Sequence, residues 1–352
     1  MEDKPQTVYI LGAGFSCNAA LPSQAEITSR LLCHQELGGP REINEIITLL
    51  IGRFLEEVFH IWDADEGCPS LEDIYTCIDL SIQGGHFLGP SYTPKKLQAI
   101  RRFITHRIFQ IIEQHYQPSV DIKALLEYGV NNDKCAFITL NWDTVLEKHL
   151  ADLGLAADYR YDVWPLNTEL YSCRSIPVYK LHGSSNWAYC DNCKYIFHDY
   201  GMRFHEHIFL FPYDFALFDH AVDPHIFQSV SCPHCHIDHL STHIVTFSYR
   251  KNFRTTYFGR LWHDSELLLQ NAQHWIFIGY SLPMADYQFK HLLKSAELQL
   301  GRQSLPKISL VTKSDARCLS PVVARYAAFF GSNLLPENIY HGGIKEYLLK
   351  NR

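Results

Sequence analysis

Two Cys-x-x-Cys pairs, Cys190-Asp191-Asn192-Cys193 and Cys232-Pro233-His234-Cys235, have the spacing at which two backbone knuckles offer four thiolates to one tetrahedral zinc ion. Four protein ligands leave no position for substrate, so such an ion is structural. His198, His205, His234 and His236 flank the pairs as possible replacements for one cysteine. A redox dithiol is the competing chemistry, but that motif opens a helix directly after a strand, and neither pair does.

Three further stretches place polar or glycine residues just after apolar runs. Gly12-Ala13-Gly14-Phe15-Ser16 follows Thr7 to Leu11. Thr139-Leu140-Asn141-Trp142-Asp143 closes the run from Cys135, and Leu181-His182-Gly183-Ser184-Ser185 closes the run from Pro177. A glycine pair at a strand end lets backbone N–H groups approach a phosphate. The third glycine of the dinucleotide fingerprint is missing, and no acidic strand end follows some twenty residues later, so hydride transfer is disfavoured. Taken singly, Asn141 and Asp143 read as helix caps and His182 as a structural histidine. Together they are expected to converge on one glycine-lined pocket.

The elements that must carry these residues are short apolar strands at Thr7 to Leu11, Cys135 to Leu140, Pro177 to Leu181, His274 to Ile278 and Lys307 to Val311. Continuous apolar runs of this length belong to strands buried on both faces, as in a parallel sheet covered by helices. Ser23-Gln24-Ala25-Glu26 has capping-box spacing and predicts a helix start. Helical periodicity recurs through Leu97 to Ile112, Phe258 to Asn271, Asp286 to Leu300 and Pro321 to Phe330. The expected fold is an α/β, doubly wound, mostly parallel sheet at 1–186 and 240–352, with a helical insertion at about 40–130. A cysteine-rich zinc module occupies 187–239, and its aromatic run from Tyr200 to Phe218 is expected to form a small core beneath it. Asp286 is expected to cap the helix that follows it, with contact to the site as the alternative, and Thr312 to Asp315 reads equally as ligand contact or as a helix start capped by Ser314 or Asp315.

The glycine turn, Thr139 to Asp143, His182-Gly183, the two cysteine pairs and Gly279-Tyr280-Ser281 resemble, in identity and order, the sirtuin superfamily over roughly residues 7 to 315. That resemblance implies a fold that binds NAD and breaks its nicotinamide–ribose bond. It gives the chemistry to Asn141 and His182, and the shaping of the nicotinamide pocket to Asp143. It gives cofactor binding to Gly12, Ala13, Gly14, Phe15, Ser16 and Thr139, with Gly279 and Ser281 on the ribose and phosphate side and Thr312 and Lys313 towards the adenine. Cleavage to a neutral leaving group builds oxocarbenium character, so positioning and charge stabilisation matter most. Asn141 suits the orientation of a water or ribose hydroxyl, and His182 the acceptance of its proton.

Two departures bear on the outcome. Leu140 stands where the family carries glutamine, and Ile244 to Lys251 lacks the Phe-Gly-Glu segment with which deacylases pair to a peptide. The run from Leu261 to Asp286 instead resembles the prokaryotic sirtuin-like branch, several of whose members deplete NAD in antiphage defence. NAD hydrolysis to nicotinamide and ADP-ribose is therefore the leading expectation. NAD-dependent lysine deacylation or ADP-ribosyl transfer is the first alternative, and a non-catalytic NAD or ADP-ribose sensor the second.

The bulk numbers narrow the partners. Over 352 residues the net charge is −7 and no Lys/Arg cluster appears, which argues against nucleic acid. No apolar run is long enough for a membrane span and Met1 to Pro5 is not a signal region, so the expected location is cytoplasmic. An odd count of 11 cysteines fits reduced thiols. The helical stretch Glu42 to Tyr128 is the expected surface for a homo-oligomer or a regulatory partner protein.

Overall fold

A computed structural model describes residues 6–33, 37–61, 69–132, 134–160, 163–165, 174–198, 210–227, 230–238, 240–242, 244–245, 256–300, 305–314 and 320–351. Ten strands are assigned among them: β1 (Thr7–Leu11), β2 (Cys135–Thr139), β3 (Ala156–Asp158), β4 (Val163–Pro165), β5 (Ser175–Lys180), β6 (Trp187–Tyr189), β7 (Ile196–His198), β8 (His274–Ile278), β9 (Lys307–Val311) and β10 (Ile339–Tyr340). Seven of them form one sheet in the order β10-β9-β8-β1-β2-β5-β3, parallel at every pairing. Every residue of β1 and β2 is buried, as strands covered on both faces require.

The chain runs from β1 to its neighbour β2, out to β3 at the edge and back to β5 between β2 and β3, then crosses to place β8 on the other side of β1. The reversal between β1 and β8 is the topological switch point, where ligands of open parallel sheets bind. The register makes the rim level. Leu11 pairs with Thr139 and Ile278, Thr139 pairs with Lys180, and Ile278 pairs with Val311. One residue further along each strand stand Gly12, Leu140, Leu181, Gly279 and Thr312; one more brings Ala13, Asn141, His182, Tyr280 and Lys313.

Apolar burial divides into two clusters. The first lines the sheet and its flanking helices, from Val8 and Ile10 to Phe277 and Tyr326. The second joins helices Arg41–Phe59, Leu71–Gly84 and Pro94–His115 to Ala188, Cys190, Phe197, Phe215 and Cys232. A three-stranded sheet of order β4-β7-β6 carries the cysteine-rich segment. Phe215 is fully buried against Phe103, while Tyr213 of the same aromatic run is exposed; Tyr200 and Phe209 lie outside the described residues.

The capping box at Ser23 is present, with Ser23 accepting from the Glu26 N–H and Glu26 accepting from that of Ser23. Among the described residues no helix is long and apolar enough to cross a membrane.

Candidate functional site

The glycine turn is built for strand contact. The Gly14 N–H donates to the Gly279 carbonyl at 2.8 Å, the Gly12 N–H to Ile278 at 3.1 Å and the Phe15 N–H back to Gly12 at 2.9 Å. Gly279 takes φ +62°, and a Cβ there would lie 2.1 Å from the Phe15 nitrogen; one on Gly14 would lie 2.8 Å from the Gly279 Cα. Close approach of the β1 and β8 ends is thus sufficient reason for both glycines. It also consumes most of the turn's donors. The Ala13 N–H has no carbonyl partner among the described residues, and Ala13 and Gly14 are exposed at the rim.

A chain of side-chain bonds ties β1 to β2. The Asn141 amide donates to the Gly12 carbonyl and to Ser16 Oγ, both at 2.9 Å. Ser16 Oγ donates in turn to Asp143 Oδ2 at 2.7 Å, and Asp143 Oδ1 accepts the Val145 N–H at 3.0 Å. Both amide protons of Asn141 are therefore spent on the turn, and its half-buried side chain has the oxygen for a ligand. Asp143 is buried, and desolvation raises its carboxyl above the usual range, against the lowering by Lys180 and by the Ser16 hydrogen bond. Thr139 accepts the Asn141 N–H at 3.2 Å through Oγ1, which shapes the turn.

His182 is buried at the end of β5, two residues beyond Lys180 as Asn141 is two beyond Thr139. Its Nδ1 lies 3.1 Å from the Leu140 carbonyl and so carries the donor proton. Nε2 faces Asp286 Oδ1 at 3.6 Å. Asp286 corrects one expectation: it occupies the position before helix Tyr287–Gln299, but its side chain makes no cap hydrogen bond and instead accepts the Tyr280 hydroxyl at 3.0 Å through Oδ2. Sequence reasoning ranks contact with the site second here, because an aspartate before a helix is among the commonest caps.

On the β9 side, Thr312 and Lys313 stand at the rim, Lys313 exposed. Lys313 contributes a lowering charge at Cys17 beside the glycine turn, although burial raises that thiol overall. The Ser314 hydroxyl lies 2.8 Å from His341 Nδ1, and the next helix among the described residues begins at Pro321. Asp315 lies outside the described residues. Ser281 is exposed, its carbonyl accepting Arg325 Nε at 2.8 Å. A separate cavity of about 480 Å³, lined among others by Glu57, His60 and Tyr92, lies in the helical region and reaches none of these strand tips.

The four cysteines converge. Their Sγ atoms all lie within 4.8 Å of one another, with Cys190–Cys235 at 3.5 Å and Cys193–Cys232 at 3.6 Å. A tetrahedral zinc with Zn–S bonds of about 2.3 Å sets its sulfurs about 3.8 Å apart, so the donor set fits that ion. Both knuckles share one backbone design. Lys194 and His236, each directly after the second cysteine, adopt φ +66° and +59° and donate their N–H to Cys190 and Cys232. Hydrogen bonds from Asn192 and the Ile237 N–H hold the Cys235 thiol down to about 6. His234 stacks on Tyr195 at 4.2 Å, and His198 is buried against Tyr159, so the cluster among the described residues is all cysteine; His205 lies outside them.

No family model matches the sequence, and no curated protein matches it. Among solved structures the chain is similar to sirtuins. One, described as the structural basis of sirtuin substrate affinity, is 15% identical, with 99% of this chain and 93% of that chain covered and a TM-score of 0.46. A Sir2 homolog–NAD complex is 14% identical, with 98% and 88% covered and a TM-score of 0.44. A mutant Sir2 homologue in complex with ADP-ribose is also 14% identical, with 98% and 90% covered and a TM-score of 0.43. At such scores these likenesses carry nothing about ligand or residue roles, which rest on the chain's own geometry.

Proposed function

We propose that the protein binds NAD across the switch point and hydrolyses its nicotinamide–ribose bond to give nicotinamide and ADP-ribose. The observation that supports it most is the wiring of three neighbouring strand tips. Asn141 is hydrogen-bonded to the glycine turn and His182 to the β2 tip, so an amide oxygen, an imidazole and an exposed Ala13-Gly14 bend share one rim. In this reading the dinucleotide phosphates lie along Ala13 and Gly14 with Lys313 nearby. Asn141 orients the ribose, and His182 accepts the proton of the attacking group. Asp143, Ser16, Thr139, Gly12, Phe15 and Gly279 hold the geometry.

NAD acts here as substrate, and a zinc ion held by Cys190, Cys193, Cys232 and Cys235 is structural. Thr312 and Ser281 face the adenosine side. Leu140 lacks the side-chain polarity with which a deacylase family glutamine contacts cofactor, which favours hydrolysis; residues 246–251, where a peptide-pairing segment is expected, lie outside those described. As an antiphage effector the enzyme needs a gate, and the helical stretch Glu42 to Tyr128 is assigned that role.

The test follows nicotinamide release from NAD by purified protein, with and without an acetylated peptide. Peptide-independent release of nicotinamide and ADP-ribose, reduced about 10²-fold or more in Asn141→Ala and in His182→Ala, is expected. Peptide-dependent turnover selects deacylation, and NAD binding without turnover selects the sensor. For the biological setting, NAD content after phage infection is compared between cells carrying the parent and cells carrying Asn141→Ala; equal NAD content in the two defeats the effector role.

A further inference from the structure

The loop between β8 and helix Tyr287–Gln299 is held in an unusual path. Leu282 is buried yet takes φ +53°, a left-handed conformation that costs a leucine about 1–2 kcal/mol. The Tyr326 hydroxyl holds the Tyr280 carbonyl at 2.9 Å and Arg325 holds that of Ser281 at 2.8 Å. The result is that Asp286, 6% exposed, turns its carboxylate inward, Oδ2 on the Tyr280 hydroxyl and Oδ1 towards His182 Nε2. With His182 Nδ1 committed to the Leu140 carbonyl, Nε2 is the nitrogen with the acceptor lone pair, and it shares its approach with a carboxylate oxygen.

At 3.6 Å the two atoms are too far apart for a direct hydrogen bond. A water donating one O–H to each acceptor at about 2.8 Å needs them about 4.4 Å apart, so admitting it moves the pair by less than about 1 Å.

We propose that Asp286 and His182 together seat the attacking water, which makes Asp286 a catalytic residue that commits the site to hydrolysis; this rests on the reading of the site as NAD-cleaving. The water oxygen bonds to C1′ of the nicotinamide-bearing ribose while the C1′–N bond breaks, its electron pair neutralising the pyridinium. One water proton passes to His182 Nε2 and the other stays on the new hydroxyl of ADP-ribose. The imidazolium formed faces Asp286 Oδ1, which stabilises it until the proton leaves to solvent. Among the described residues, the groups shown against the imidazole include Asp286 with the Tyr280 hydroxyl behind it, the neutral Trp262 indole of helix Thr256–Asn271 and the Leu140 carbonyl; of these Asp286 alone is a carboxylate.

The full chain carrying Asp286→Asn is expected to bind NAD within about threefold of the parent while kcat falls about 10²-fold. In water–methanol mixtures the ratio of methyl ADP-ribose to ADP-ribose rises in this variant, because methanol has a single O–H and gains nothing from a second acceptor. Tyr280→Phe, which releases Oδ2 from the phenol without removing the carboxylate, gives an intermediate kcat. An Asp286→Asn kcat within about threefold of the parent, or an unchanged product ratio, overturns the proposal. If the parent releases no nicotinamide under any condition, the NAD reading itself has failed. The pair is then judged by NMR titration of the His182 imidazole, assigned with His182→Gln. A midpoint lower in Asp286→Asn by about half a unit or more supports the pairing, and an unchanged midpoint overturns it.

Discussion

Replacing Gly279 with alanine probes the junction on which the whole rim depends. The new Cβ would stand 2.1 Å from the Phe15 nitrogen, 2.2 Å from the Gly14 carbonyl carbon and 2.6 Å from the Gly14 Cα, all backbone atoms that no rotamer change relieves. Three costs add. Holding alanine at φ +62° costs about 1–2 kcal/mol. Breaking the Gly14 N–H to Gly279 carbonyl bond costs about 1 kcal/mol. Prising β8 from the turn costs about 1–3 kcal/mol of repacking. The sum is about 3–6 kcal/mol, equivalent to a melting temperature lower by roughly 6–12 °C at about 2 °C per kcal/mol. Gly154→Ala is the matched control: its φ is +70°, but nothing lies within 4 Å of its added Cβ, so only the conformational cost of about 1–2 kcal/mol applies. Thermal melts of both variants decide the matter. Equal losses would refute the claim that backbone approach, and not conformation alone, demands glycine at the switch point.

Asp143→Asn reports on burial. The native carboxyl lies above its unfolded value, so between the two values the native state binds more protons than the unfolded one and stability falls as pH rises. The parent therefore loses stability relative to the Asn variant as pH climbs out of the usual aspartate range, and parallel urea-midpoint curves from pH 4 upward would contradict this. Chelation should lower the melting temperature of the parent and leave Cys190→Ser/Cys232→Ser, already without metal, unmoved; metal analysis showing full zinc in that double variant would exclude the cysteine site. Trp142→Ala, at a position 3% exposed, should cost about 3–5 kcal/mol by urea unfolding, and a loss below about 1 kcal/mol would show that the side chain is not packed as described.

Much of this was legible in the chain because parallel strands buried on both faces write themselves as continuous apolar runs. β1, β8 and β9 begin and end where the sequence predicts, and β2 and β5 differ at their ends by one or two residues. β3 and β10, three and two residues long, are too short to show a pattern. The helix at Ser23 was legible because a capping box is a local device, and the cysteine cluster because a knuckle imposes its own spacing. What pairs across the chain was not. Periodicity in Leu97 to Ile111 shows an apolar face but not that it packs on Phe215 and Cys232, and the partner of Asp286 is set by a loop that returns over His182. The glycines read in the sequence as a phosphate turn, yet the cause the structure shows for them is the close approach of the β8 backbone.

Trp142 sits between the two side chains that bracket the β2 tip, and its ring packs edge-on against Tyr75 and Phe109 of the helical region while its indole N–H holds the Val245 carbonyl. A side chain so placed works as a tiller: a tilt of those helices is expected to be felt by the amide at 141 and the carboxyl at 143 on either side of it. A spectroscopic label far out on the helical surface would then register events at the sheet's edge without touching it.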